Sequence, residues 1–249
     1  MVFKYFIIGL IQGLTEFLPV SSSGHILIFS QLFHIDCDII LLSVVAHLGS
    51  LMAVIICMLP KLKPMIKNPF CKTNIDLMIS TIPAVIIVLL FKGLVDKLYG
   101  MQFVLYGFLL TGILLMIADM CKTKNRQITH KIALLMGIVQ SIAILPGISR
   151  SGSTMSAGML AGVDKEKSCE YSFLMSIPII IGSAVYEMIG LVGESVEIQL
   201  LPLFVAFLSS FLFAILSIKL MLKIVKTNKL FIFGIYALAL STILFFVML

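Results

Sequence analysis

The chain has 249 residues, 60% of them hydrophobic and only 12% charged, with a mean hydropathy of +1.16 and a formal charge of +6. Soluble domains carry about a quarter charged residues, so a water-soluble globular fold is excluded and an integral membrane protein is implied. The positive excess is not a nucleic-acid footprint, because Lys and Arg sit in short segments between apolar runs.

The N-terminus offers Lys4 and no small-residue cleavage site, so the first apolar stretch is expected to stay in the mature protein. Residues 1–33 read as an apolar stretch, a Pro/Ser/Gly break and a second stretch. Each piece is too short to cross a bilayer comfortably, which takes about 20 apolar residues. Asp36 and Asp38 follow, then a full-length run at 40–59. A basic loop at 60–74 carries Lys61, Lys63, Lys67 and Lys72. Runs at 75–92 and 101–120 come next, separated by Lys92, Asp96 and Lys97. The segment 121–131 holds Lys122, Lys124, Arg126 and Lys131, and residues 130–162 repeat the pattern of stretch, break and stretch. Lys165 and Lys167 precede a run at 168–190, and Glu194 and Glu197 separate it from one at 200–222. Lys223, Lys226 and Lys229 lead into the last run at 230–248. The five cysteines (Cys37, Cys57, Cys71, Cys121, Cys169) show no metal-ligand spacing and read as small apolar residues.

The two broken regions are versions of each other. GLIQGLTEFLPVSSSGH at 9–25 and GIVQSIAILPGISRSGS at 137–153 align at a constant offset of 128 residues. Gly9 matches Gly137, Gln12 matches Gln140, Ser21 matches Ser149, Ser23 matches Ser151 and Gly24 matches Gly152. The three full-length runs of each half correspond at the same offset. Non-helical backbone at membrane depth is tolerated only where protein or a wet cavity surrounds it, so both breaks are expected in re-entrant hairpins; two more full spans per half is the alternative. Three spans per half is an odd number, which inverts the second half relative to the first. The Lys/Arg-rich segments then all fall on the cytoplasmic side, with both termini outside. The fold expected is an all-α polytopic membrane protein, a single membrane domain over 1–249 built of two inverted-topology repeats (1–121 and 129–249). Each repeat is a re-entrant hairpin plus three transmembrane helices, with the hairpin tips meeting near the midplane.

Gln12 and Glu16 are four apart and share a helix face. A carboxylate at membrane depth costs a few kcal/mol on insertion scales, roughly, and so marks a functional candidate; pairing of Glu16 with Arg150 is a structural reading compatible with that one. Arg150 has a planar fork suited to phosphate oxygens. Both breaks lead into helix N-termini, where unpaired N–H groups favour an anion. Ser21, Ser23, Gly24, Ser149, Ser151, Gly152 and Thr154, with Gln12, are the expected binders of a phosphate or diphosphate. Serine capping explains either break alone, but not Arg150 or His25. His25 could act as general base, general acid or nucleophile, with Ser22 the rival nucleophile. His47 either lines the same cavity or packs. His34 and His130 read as interface residues.

QGLTEFLPVSSSGH and PGISRSGST resemble the two signatures of the undecaprenyl-diphosphate phosphatase family, linked to bacitracin resistance, and YSFLMSIP at 171–178 is similar to the segment after the second signature. The resemblance implies hydrolysis of the C55 isoprenyl diphosphate to the monophosphate and phosphate at the outer face of a bacterial plasma membrane, returning the carrier to cell-wall synthesis. It places the family's Glu/Gln-x-x-x-Glu motif on Gln12 and Glu16, expected to hold Mg²⁺ or Ca²⁺. The serine–histidine turn falls on Ser22, Ser23 and His25, and the arginine motif on Ser149, Arg150, Ser151 and Thr154. Gln12 stands where many members carry Glu, and His47 where many carry an amide. The phosphatidic-acid phosphatase type 2 signature is not met: no Arg-Pro is present, and Ser156 stands six residues after Arg150. Catalysis is thus expected from Glu16, His25, Ser22 and Arg150. The partners expected are the lipid substrate and membrane lipid, with no nucleic acid, and a homodimer is compatible with the sequence. A polyprenyl-phosphate transporter or flippase is the competing reading.

Overall fold

A computed structural model of the protein describes residues 2–33, 39–122, 124–191, 199–227 and 229–248. Expectations for His34, Asp36, Cys37, Asp38, Glu194 and Glu197 lie outside the described residues. Among the described residues there are eleven helices and no named strand. They are α1 (Val2–Phe17), α2 (Ser22–Leu32), α3 (Ile39–Cys57), α4 (Leu59–Lys67), α5 (Lys72–Lys97), α6 (Met101–Met120), α7 (His130–Ile142), α8 (Arg150–Leu160), α9 (Lys165–Gly190), α10 (Leu200–Lys226) and α11 (Phe231–Met248).

Six of them, α3, α5, α6, α9, α10 and α11, are long and apolar enough to cross a membrane, and they coincide with the six full-length sequence runs to within a few residues. The pieces flanking the breaks are shorter, 16 and 11 residues for α1 and α2, and 13 and 11 for α7 and α8. At 1.5 Å per residue they reach roughly 16–24 Å, less than the ~30 Å of a hydrocarbon core. Pro19 ends α1, because it lacks an N–H and disfavours helical backbone at the preceding Leu18. The loop expected at 60–74 instead contains α4. Pro60 fits its first turn, and Met65 is buried beneath it.

The packing follows the repeat. The offset of 128 pairs α1 with α7, α3 with α9, α5 with α10 and α6 with α11. Helix α1 lies along α10, and its counterpart α7 lies along α5; the mates α6 and α11 pack on each other, as do α3 and α9. Gly9 and Gly137 occupy matching seams. A Cβ at Gly9 would overlap Ser209 Oγ and the Ala206 carbonyl on α10, and one at Gly137 would overlap backbone at Ser80 on α5. Their recurrence is therefore a packing requirement: both hairpins lean on a long helix with backbone nearly touching backbone. Below the breaks, Phe17, Val54, Met155, Phe173 and Ile218 join α1, α3, α8, α9 and α10 in one buried cluster.

Charged groups gather at one end of the bundle. Lys61 on α4 pairs with Glu170 near the start of α9, and Lys226 at the end of α10 reaches Glu166 at 3.1 Å. Lys165 meets Asp119 at the end of α6 at 2.6 Å, and Asp119 also accepts from the Phe231 N–H at the start of α11. Asp76, near the start of α5, holds Lys72 at 2.9 Å and His130, the first residue of α7, at 2.6 Å.

Replacing Gly9 by Ala should force α1 off α10 and destabilise the protein by about 1–3 kcal/mol. This would be read as a lower unfolding midpoint in detergent. Gly182→Ala, where an added Cβ meets nothing within 4 Å, should leave that midpoint in place.

Candidate active site

The two breaks touch. A Cβ on Gly152 would meet Pro19 Cβ at 3.0 Å, and one on Gly24 would meet Gly147 Cα at 3.1 Å. Gly24 and Gly152 are repeat mates, and so are positions 19 and 147, so one contact is made twice. Ser151 Oγ adds a bond to the Leu18 carbonyl at 3.1 Å. Gly147 has φ +83° and lies so close to Val104 that a side chain would collide with its backbone; only glycine serves there. Thr111 on α6 secures this turn, accepting from the Ser149 N–H at 3.0 Å and bonding the Gly147 carbonyl at 3.4 Å.

Each break passes into a capped helix. Ser21 Oγ accepts from the Gly24 N–H at 3.3 Å, and Ser149 Oγ from the Gly152 N–H at 3.1 Å. Ser21–Ser23 and Ser149–Ser151 hydroxyl pairs lie 3.3 Å apart in both halves. These serines, expected as phosphate binders, are thus N-caps first. The mates differ in backbone: Ser149 has φ −75°, whereas Ser21 has φ +67° and ψ 101°, a conformation costing about 1–3 kcal/mol for a residue with a side chain.

Ser22 and Arg150, also repeat mates, are the first residues of α2 and α8, and both converge on Glu16. Arg150 Nη2 is bonded to Glu16 Oε1 across 134 residues of sequence. Ser22 Oγ donates to Glu16 Oε2 at 2.7 Å, and Gln12 Nε2 to the same oxygen at 2.9 Å. His47 Nε2 on α3 stands 3.8 Å away, its Nδ1 held 2.8 Å from the Ser43 carbonyl. His47 therefore stands beside the Glu16 carboxylate. Glu16 is buried, whereas the Arg150 side chain keeps 17% of its surface exposed. A guanidinium has five N–H donors and the Glu16 bond takes one, leaving donors for an incoming anion.

His25 is placed differently. Its Nδ1 lies 2.7 Å from the Ser21 carbonyl and its Nε2 2.7 Å from the Tyr236 hydroxyl on α11, so its ring is bonded to its own turn and to α11 and not to Glu16 or Arg150. Thr154 likewise bonds the Arg150 carbonyl at 2.8 Å and the Ser172 hydroxyl at 2.6 Å, bracing α8 against α9. Tyr236, Thr111, Ser172 and Ser50, which receives a long 3.5 Å contact from Gln12, are participants that sequence reasoning missed. A signal existed for Tyr236 alone: it is the offset-128 mate of Phe108 and differs from it by one hydroxyl.

Among the described residues no three His, Cys, Asp or Glu side chains cluster as a metal site. Glu16 is nevertheless accompanied by hard oxygen donors. Gln12 Oε1 is buried without a hydrogen-bond partner, and the Ser22 hydroxyl adjoins it through Glu16. One carboxylate, an amide oxygen and substrate phosphate oxygens fit the hard-cation pattern of Mg²⁺ or Ca²⁺.

Comparison with known proteins matches residues 5–243 to the family described as bacitracin resistance protein BacA. The chain is 34% identical to undecaprenyl-diphosphatase of Carboxydothermus hydrogenoformans over 94% of this chain and 92% of that one. It is 36% identical to undecaprenyl-diphosphatase of Thermosipho africanus over 98% and 99%. It is 37% identical to undecaprenyl-diphosphatase of Parabacteroides distasonis over 94% and 93%. With the match running from α1 into α11 and taking in both breaks, the chain belongs to the BacA bacitracin-resistance family.

Proposed function

We propose that this protein hydrolyses undecaprenyl diphosphate to undecaprenyl phosphate and inorganic phosphate in a bacterial plasma membrane, recycling the lipid carrier for cell-wall synthesis and so conferring bacitracin resistance. The relatives' names and the family support the reaction. One observation carries the site: a buried carboxylate, Glu16, lies between a guanidinium and a serine hydroxyl supplied by the two breaks.

The reading of two inverted repeats is supported by the charged end of the bundle. The end of α6 and the start of its mate α11 meet at Asp119, so those mates run in opposite directions. The start of α5 and the end of its mate α10 both lie among the paired charges. Assigning that basic end to the cytoplasm follows the positive-inside rule. Helix α7 then enters from the cytoplasm beside α5, and α1 from outside beside α10. Both turn back at their breaks as re-entrant hairpins, and the site opens outward.

In the chemistry that this geometry suits, the terminal phosphate of the diphosphate lies at the N-termini of α2 and α8, where helix-end N–H groups favour it. The free donors of Arg150 grip its oxygens. Ser22 Oγ attacks the terminal phosphorus and gives its proton to Glu16. An Oγ–P bond forms as the bond from that phosphorus to the bridging oxygen breaks, and undecaprenyl phosphate leaves with the electron pair. Water then attacks the phosphoserine, the O–P bond to serine breaks, the serine oxygen recovers the proton held by Glu16, and both water protons stay on the released phosphate, which leaves as H₂PO₄⁻. A divalent cation, Mg²⁺ or Ca²⁺, would be held by Glu16, Gln12 Oε1 and the diphosphate, neutralising phosphate charge when bound. Positioning and neutralisation are most of what phosphoryl transfer requires. His25 falls outside this set because both its nitrogens are engaged elsewhere.

Phosphate release from undecaprenyl or farnesyl diphosphate by detergent-purified protein tests this reading. Arg150→Ala should abolish it, and an unaltered rate would discard the assignment. Ser22→Ala should lower kcat by about 10³-fold or more, with no labelled phosphoserine trapped on rapid acid quench. Retained activity there would return the attack to water. Chelation with EDTA should stop turnover, and added Mg²⁺ or Ca²⁺ should restore it.

A further inference from the structure

We infer that Tyr236 and His25 form a positioning strut that holds the strained Ser21 turn and so aims the Ser22 hydroxyl, and that His25 takes no proton and attacks no phosphorus. The inference rests on the reading of Ser22 as nucleophile.

The hydrogen bonding fixes the state of the imidazole. A carbonyl can only accept, so the Nδ1 contact of 2.7 Å to the Ser21 carbonyl requires the proton on Nδ1. In the neutral ring Nε2 is then an acceptor, and the Tyr236 hydroxyl at 2.7 Å donates to it. The lone pair that an attacking or proton-abstracting histidine needs is capped. The ring is also locked by its neighbours. It lies side by side with Tyr236, centroids 5.8 Å apart and planes 5° from parallel, as the bond between Nε2 and the hydroxyl demands, and Phe108 meets it edge-on at 5.3 Å. Phe108 and Tyr236 are repeat mates on the paired helices α6 and α11, so His25 is gripped by the same position of both halves. It is anchored by the one that carries a hydroxyl.

The repeat supplies an internal comparison. Ser149, the mate of Ser21, has ordinary backbone at φ −75°, and four residues after it stands Ser153 instead of a histidine. The turn with φ +67° is the one whose carbonyl is held by an imidazole. Ser22 follows that carbonyl directly, so the orientation of Ser21 sets where Oγ points, and it points at Glu16 Oε2. A second imidazole, His47, already faces Glu16, which leaves His25 free of any electrostatic duty there.

Three variants and a spectroscopic signature test the strut. His25→Asn keeps a donor for the Ser21 carbonyl but can neither shuttle protons as imidazole does nor form a phosphohistidine. It should keep kcat within about tenfold of wild type with an unchanged pH–rate profile, while His25→Ala falls by more than about a hundredfold. Tyr236→Phe should lower kcat about tenfold with KM unchanged within about twofold. In ¹⁵N-histidine spectra, His25 should hold the Nδ1–H tautomer in the wild type and become mixed in Tyr236→Phe. A His25→Asn protein as inactive as His25→Ala overturns the inference. So does a wild-type rate in Tyr236→Phe, or an Nε2–H tautomer in the wild type. If the wild-type protein releases no phosphate while the Nδ1–H tautomer and its dependence on Tyr236 are seen, the phosphatase reading falls and the strut stands.

Discussion

A carboxylate and a guanidinium taken from water into a protein interior each lose hydration worth several kcal/mol, roughly, and that loss is offset only when the two meet with good geometry and further hydrogen bonds. Glu16 and Arg150 satisfy the condition together. Neither would be tolerated alone between apolar helices, and removal of one partner leaves the other buried and uncompensated, at a cost of about 3–5 kcal/mol. The pair also fixes geometry. Glu16 sits on α1 just before the first break, and Arg150 opens α8 just after the second, so their contact sets the register of the two hairpins. The doubled contacts of Gly24 with Gly147 and of Gly152 with Pro19 give the same register its steric form.

Hydropathy made the six long helices and the two breaks legible, because the bilayer imposes length and apolarity on each span independently of its neighbours. The offset of 128 predicted which helices correspond, and glycine and serine identities within it turned out to mark close helix seams and N-caps. What stayed hidden depends on contacts between distant segments. Thr111, Ser172 and Tyr236 lie in long apolar runs where a single hydroxyl carries no local signal. Their roles appear only when α6, α9 and α11 are laid against the breaks. Helix α4 was hidden for a different reason. Its three lysines and two prolines mask the pattern of 59–67, in which Leu62 and Met65, three residues apart, share the face packed on the core.

His25 illustrates how spacing can mislead. On sequence it is the natural catalytic group, set beside a Ser-Gly turn in an apolar stretch. Three residues along a helix leave His25 only about 60° round from Ser22, yet its ring meets Phe108 of α6 and Tyr236 of α11 while Ser22 bonds Glu16. His47, thirty-one residues from Glu16 and left open by the sequence, is the imidazole that faces the carboxylate. Proximity in sequence to a functional turn and proximity in space to its charge are separate properties.

The convergence of positions 22 and 150 on one carboxylate makes the two halves unequal partners. Where the halves agree, at their glycine seams and serine caps, they supply scaffold; where they diverge, at Glu16 against Ile144 and Ser22 against Arg150, they supply the groups that meet at the site, and at His25 against Ser153 the brace beside it. Two copies of the first half would bring two carboxylates and no guanidinium, and two copies of the second the reverse. Each half lacks what the other contributes, so the molecule cannot be divided into self-sufficient equals.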